Sequence, residues 1–121
     1  MEKIIAVRFF KSELGNEPVK EWLLSLDKED KKIIGNDIKT VEYGFPIGMP
    51  VCKKLVGTKL YEVRSNISNQ RIARVIFVII DEYMILLNAF IKKYQKTPKN
   101  EIDIALQRMK YILNVDSMKI C

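Results

Sequence analysis

Four lysines, Lys92, Lys93, Lys96 and Lys99, crowd into the stretch FIKKYQKTPKNEI, between a long apolar run and the start of a helical pattern. Ammonium groups this close repel one another, and each disfavours the charged form of its neighbours. A lysine in such a cluster can give or take a proton near neutral pH. The plainer alternative is that the cluster binds a polyanion and moves no proton. Upstream, Arg64, Arg71 and Arg74 stand in strand-like stretches, and a guanidinium is a planar fork that suits phosphate oxygens. The chain has no histidine, which removes His-based acid–base pairs, Ser–His triads and the usual zinc sites. Cys52 and Cys121 lack metal or redox spacing and read as free thiols, and there is no Gly-rich phosphate loop. Glu29 and Asp30 read as surface carboxylates explained by a helix start. The working groups therefore reduce to arginine and lysine, with tyrosine a further candidate, and no metal or other cofactor is implied.

The charge is as uneven as the cluster suggests. The chain of 121 residues carries a formal +6. From Cys52 to Asn100 there are ten basic residues (Lys53, Lys54, Lys59, Arg64, Arg71, Arg74, Lys92, Lys93, Lys96 and Lys99) against three acids, a net +7, while the remainder sums to −1. A polyanionic partner is the simplest physical reason for this segregation; a solvated, solubilising face is the alternative. The length favours one domain spanning residues 1–121. No apolar run reaches the roughly 18 residues of a membrane helix. The N-terminus lacks the basic-then-apolar order of a signal peptide, so the expected location is the cytoplasm.

The elements that position these cations follow from periodicity. Ile4–Phe10 reads as a strand. Asn16 can cap a helix that tolerates Pro18 early and buries Val19, Trp22, Leu23 and Leu26 on one face. Asp27 caps a second helix with the stripe Ile34, Ile38 and Val41, stopped at Gly44, and the short link makes the pair an antiparallel hairpin. Gly44 to Pro50 is a loop. Lys59–Ser65, Gln70–Ile80 and Tyr83–Ile91 form a meander with turns at Asn66–Asn69 and Asp81-Glu82. Thr97 caps a last helix with Pro98 at its first position and the stripe Ile102, Ala105, Leu106, Met109, Ile112 and Leu113. The order β-α-α-β-β-β-α predicts an α+β domain with helices on one face of a mostly antiparallel sheet. Meander register returns residue 92 to the level of about residue 72. Arg64, Arg71, Lys92 and Lys93 are thus expected to converge at one end of the sheet, with Arg74 facing away from Arg71.

The runs KKLVGTKLYEVR, RIARVIF and ILLNAFIKKYQKTPKNEIDIALQRMK, with GNEPVKEWL near the N-terminus, resemble the phage-derived, HigB-like branch of the RelE/ParE type II toxin superfamily. The resemblance covers nearly the whole chain, and its most specific part is Lys-Lys-x-Gln-Lys-Thr-Pro at a set distance from Leu-Tyr-Glu-Val-Arg. It implies a RelE-like fold with an N-terminal helical hairpin and a C-terminal helix. It implies a toxin that cleaves mRNA on the ribosome and is neutralised by a HigA-like helix-turn-helix antitoxin. Operator DNA would be met only through that antitoxin, and no membrane is involved. By position, the family's catalytic cations fall on Arg64, Arg71, Lys93 and Lys96, and RNA contacts on Lys53, Lys54, Lys59, Arg74, Lys92, Tyr94 and Lys99. The chain departs from the pattern at Arg74, where an aromatic is common, at Tyr94, where threonine is usual, and at Asn88, where histidine is often found. Glu62 occupies a neighbouring strand position, and the general base stays open. Two alternatives are a ParE-like DNA gyrase inhibitor and a basic nucleic-acid-binding module without activity.

Overall fold

The computed structural model describes residues 5–92 and 96–120, with side chains described to residue 115; Lys93, Tyr94 and Cys121 lie outside. The elements are β1 (Ala6–Phe9), α1 (Pro18–Leu24), α2 (Lys28–Gly44), β2 (Cys52–Lys54), β3 (Leu60–Ile67), β4 (Arg71–Ile80), β5 (Tyr83–Lys92) and α3 (Lys99–Ile120). The five strands form one sheet in the order β1-β5-β4-β3-β2. Only β1, which runs parallel to β5, departs from antiparallel pairing. This is the expected α+β, RelE-like arrangement with one strand added. Strand β2 has three residues, too few to show a period of two, and it forms because β3 offers it an edge.

Helices cover both faces of the sheet, not one. On β4, Ala73, Val75 and Phe77 pack with Val19 of α1 and with Ile34, Ile38 and Val41 of α2. Ile76 and Val78 point the other way, with Leu87, Phe90 and Ala105 of α3. Burial on both sides is the reason residues 75–80 read as an unbroken apolar run where a half-solvated strand would alternate. Val19 is fully buried, while Trp22 and Leu23 are only half covered.

Two local features set the geometry of the charged end. The β3–β4 turn is tighter than the expected four-residue turn Asn66–Asn69. Asn69 and Gln70 both have φ near +60° (60° and 58°), and the Arg71 N–H closes on the Ser68 carbonyl at 3.3 Å. Asn66 and Ile67 therefore belong to β3. The second feature is a bulge in β5. Asn88 lies opposite Ile76 but Leu86 lies opposite Phe77, so Leu87 is the extra residue. The Leu87 carbonyl accepts a 2.7 Å hydrogen bond from Arg108 Nη1 of α3. Asn88 donates to the Glu101 carbonyl at 3.0 Å and its carboxylate at 3.2 Å. The bulge thereby fastens α3 to the sheet.

Candidate functional site

Glu62 sits at the middle of the site and is fully buried. It shares the α3 face with Arg64, two residues along β3, and with Arg74, which lies directly opposite Arg64 on β4. Two cations in register on one face would repel. Glu62 Oε1 stands between them, 3.5 Å from Arg64 Nε and 3.5 Å from Arg74 Nη1. The other oxygen, Oε2, accepts the Thr97 hydroxyl at 2.5 Å, and Thr97 Oγ1 in turn accepts from Arg74 Nη1 at 3.0 Å. Thr97, expected as a helix cap, thus spends its side chain on the sheet. Burial pushes the Arg74 guanidinium below its usual range; the Glu62 charge opposes that shift and Arg64 adds to it.

Arg74 has no exposed surface, so the expectation that it touches RNA is corrected: its side chain is part of the core. Arg64 is different. Its side chain keeps 15% exposure and lines a cavity of about 310 Å³ with Met49, Pro50, Asn66 and Ile72. Lys92 lies across β4 from this point, opposite Ile72, on the same face. Arg64 and Lys92 therefore flank β4 two strand spacings apart and two residues out of register, roughly 12 Å between backbones. Lys53 pairs in register with Glu62 and shares the face from the sheet edge. Lys96 and Lys99 are exposed just before and at the start of α3, whose approach is pinned by Thr97.

Arg71 does not join this group. It sits at the same end of the sheet but on the hairpin face, opposite Ile67. Its Nη2 donates to Asp30 Oδ2 at 2.8 Å and to Ser68 Oγ at 2.9 Å, and its Nε to the Ser68 carbonyl at 3.0 Å. Asp30 is likewise corrected: it is 2% exposed, no surface cap, and accepts from the Ser68 N–H at 3.1 Å and hydroxyl at 3.0 Å. These Ser68 bonds, opposed by burial and helped by Arg71, hold its carboxyl below the ordinary 3.8. Lys54 turns to the hairpin face too, over the Tyr61 ring at 4.7 Å and bonded to the Thr58 carbonyl. Lys59 is at the far end of β3, some seven residues or roughly 20 Å along the strands from Lys92. Lys93 and Tyr94 lie outside the described residues. Cys52 is buried, with its thiol pushed up to about 11 by burial and by the Glu62 charge, so it is no nucleophile at neutral pH.

What the arrangement can do follows from its atoms. Arg64, paired at Nε with a buried carboxylate, Lys92 across the strand, and Lys96 and Lys99 around the start of α3 form a positive surface beside a cavity lined in part by Met49, Pro50 and Ile72. Such a surface suits a phosphodiester. Sequence reading passed over Glu62 and Thr97 as working parts. The alternation Glu62-x-Arg64 hinted at the first, but nothing local ties residue 97 to residue 62.

Residues 21–110 match the model of a family described as phage-derived protein Gp49-like (DUF891). No curated protein matches the chain. The matched span runs from α1 through the meander and most of α3, well over half of the sequence, and takes in Glu62, Arg64, Arg74 and Thr97. The chain belongs to the phage-derived Gp49-like family, within the RelE/HigB-like group of toxin–antitoxin toxins.

Proposed function

We propose that the protein is a ribosome-dependent mRNA endonuclease that inhibits translation. Its cognate antitoxin would be a HigA-like helix-turn-helix protein, through which alone it meets operator DNA. The observation that carries this reading is that Arg64 and Lys92 flank β4 on the same face, two residues apart in register, with Arg64 beside a buried carboxylate. In the proposed reaction the ribose 2′-oxygen attacks the adjacent phosphorus and the bond to the 5′-oxygen breaks. The 2′-hydroxyl proton goes to a base, the leaving oxygen takes a proton from an acid, and a 2′,3′-cyclic phosphate and a 5′-hydroxyl result. Arg64 and Lys92 bind the phosphorane oxygens as negative charge builds on them. Lys96 and Lys93 are the proposed proton-transfer groups, and Lys53 and Lys99 extend the RNA contacts. Arg71, tied to Asp30, supports the fold instead.

Inducing the protein alone and mapping mRNA ends by primer extension tests the reading. Growth arrest with cuts inside translated codons is the expected result. Arrest with intact mRNA and damaged DNA would favour the gyrase-inhibitor alternative. Normal growth at verified soluble expression would overturn a toxin reading altogether.

A further inference from the structure

We propose that Glu62 is a positioning residue for Arg64, and that Thr97 sets Glu62 in turn, so that the start of α3 controls where the phosphate-binding guanidinium points. The inference rests on the endonuclease reading for its consequence, but not for its geometry.

A buried carboxylate with a buried arginine is a poor way to gain stability, since apolar side chains of similar volume do as well or better. Glu62 and Arg74 are nevertheless buried on the face that also buries Leu60, Ile76, Val78 and Phe90. Among the described members of the network, Arg64 is the most exposed. An arginine side chain has four rotatable bonds and loses much freedom when it is fixed. Contact at Nε is the contact that orients the guanidinium plane, because Nε is the hinge between the chain and the fork. Glu62 Oε1 is the carboxylate oxygen that stands there, in an ion-pair contact at 3.5 Å. The carboxylate itself is held at both oxygens: Oε1 faces Arg74 Nη1, and Oε2 takes the Thr97 hydroxyl in the shortest side-chain bond of the cluster, at 2.5 Å. Three separate pieces of chain, β3, β4 and the approach to α3, thus meet at one carboxylate whose outward-facing partner is Arg64.

Removing the Thr97 hydroxyl tests this with both charges left in place. Thr97→Val keeps shape and volume; Glu62→Gln would strip Arg74 of its counter-charge and confuse folding with positioning. The first readout is the ¹⁵N–¹H signal of the Arg64 side-chain Nε–H in the full chain, assigned by its loss in Arg64→Ala. In wild type it should be shifted from free arginine and slow to exchange with water. In Thr97→Val it should move toward the free position and exchange faster, and in Thr97→Ser, which restores the hydroxyl, it should return. The second readout is single-turnover cleavage of ribosome-bound mRNA. Thr97→Val should lower the maximal rate on the order of 10-fold, with half-saturation little changed, as a small misplacement of a transition-state contact does. Arg64→Ala/Thr97→Val should be no slower than Arg64→Ala, because the two act through one group.

A folded Thr97→Val with the wild-type Arg64 signal overturns the inference. So does a double variant whose losses multiply, or a Thr97→Ser that behaves like Thr97→Val. If wild type cleaves nothing, the endonuclease reading fails, and the Arg64 signal alone decides whether Glu62 and Thr97 position that side chain.

Discussion

On the hairpin face of the sheet Arg71 reaches Asp30; on the α3 face Arg64 and Arg74 share Glu62. Each site joins arginine to a buried carboxylate near the same end of the meander. In the first, two nitrogens of the fork are tied to neighbours: Asp30 and the Ser68 hydroxyl take Nη2 and the Ser68 carbonyl takes Nε, although the side chain keeps 28% exposure. The result fastens α2 to the β3–β4 turn. In the second, two arginines compete for one carboxylate, and the competition is resolved by depth. Arg74 is sealed in, its shifted pKa reflecting the loss of water, while Arg64 is left at the lip of a cavity. The difference teaches that a strand arginine is not a phosphate ligand by residue type alone. What its Nε and terminal nitrogens already touch decides whether it can work on a substrate.

The comparison breaks most visibly if the buried pair is cut. Arg74→Ala leaves a cavity and disturbs the charge balance around Glu62, and should cost about 3–5 kcal/mol of stability, read as a fall in the urea midpoint. A loss under about 1 kcal/mol would mean that the α3 face tolerates the unbalanced charge, contrary to the burial cost. Next in size, Arg64→Ala should leave the urea midpoint nearly unchanged yet slow mRNA cleavage about 10²–10³-fold, the usual cost of one lost transition-state donor. Arg71→Ala should do the reverse, with a smaller stability loss than Arg74→Ala and cleavage retained in the folded fraction. If Arg71→Ala abolishes cleavage without unfolding, the division between faces is wrong.

A pH series sharpens the same contrast. The Asp30 carboxyl is held below 3.8, so its contribution is present above that value and is lost as pH falls through the lower folded-state value. The stability gap between wild type and Asp30→Asn should therefore be constant from pH 7 to about 5 and narrow in urea titrations at still lower pH. A gap that widens on acidification would contradict the bonding seen at Ser68. The smallest effect concerns salt. RNA affinity should fall with ionic strength, and each of Arg64→Ala and Lys92→Ala should reduce the log–log slope by about 0.7, the value per phosphate contact on a single strand. Arg71→Ala and Lys59→Ala should leave that slope alone.

The sequence by itself determined every element but β2, and the periodicities explain why. Ile34, Ile38 and Val41 recur at helical spacing and are all buried; the β4 and β5 runs are separated by turn residues; α3 begins at Lys99, one residue after the expected Pro98. Charge segregation and the Lys-Lys-x-Gln-Lys-Thr-Pro run likewise needed no coordinates. Only the tertiary structure decided which side each cation faces and what it meets there. Moving the turn by two residues, from Asn66–Asn69 to a tight turn at Asn69 and Gln70, lengthened β3 without revealing its partners. Arg71 was separated from Arg64 by strand alternation, and was then captured by Asp30, whose burial depends on α2 docking 38 residues away from Ser68 in sequence. Thr97 meets Glu62 across 35 residues, and Arg108 meets the Leu87 carbonyl across 21. Such contacts have no local signal, because they depend on how two finished elements pack, and residue type and spacing along the chain do not encode that distance.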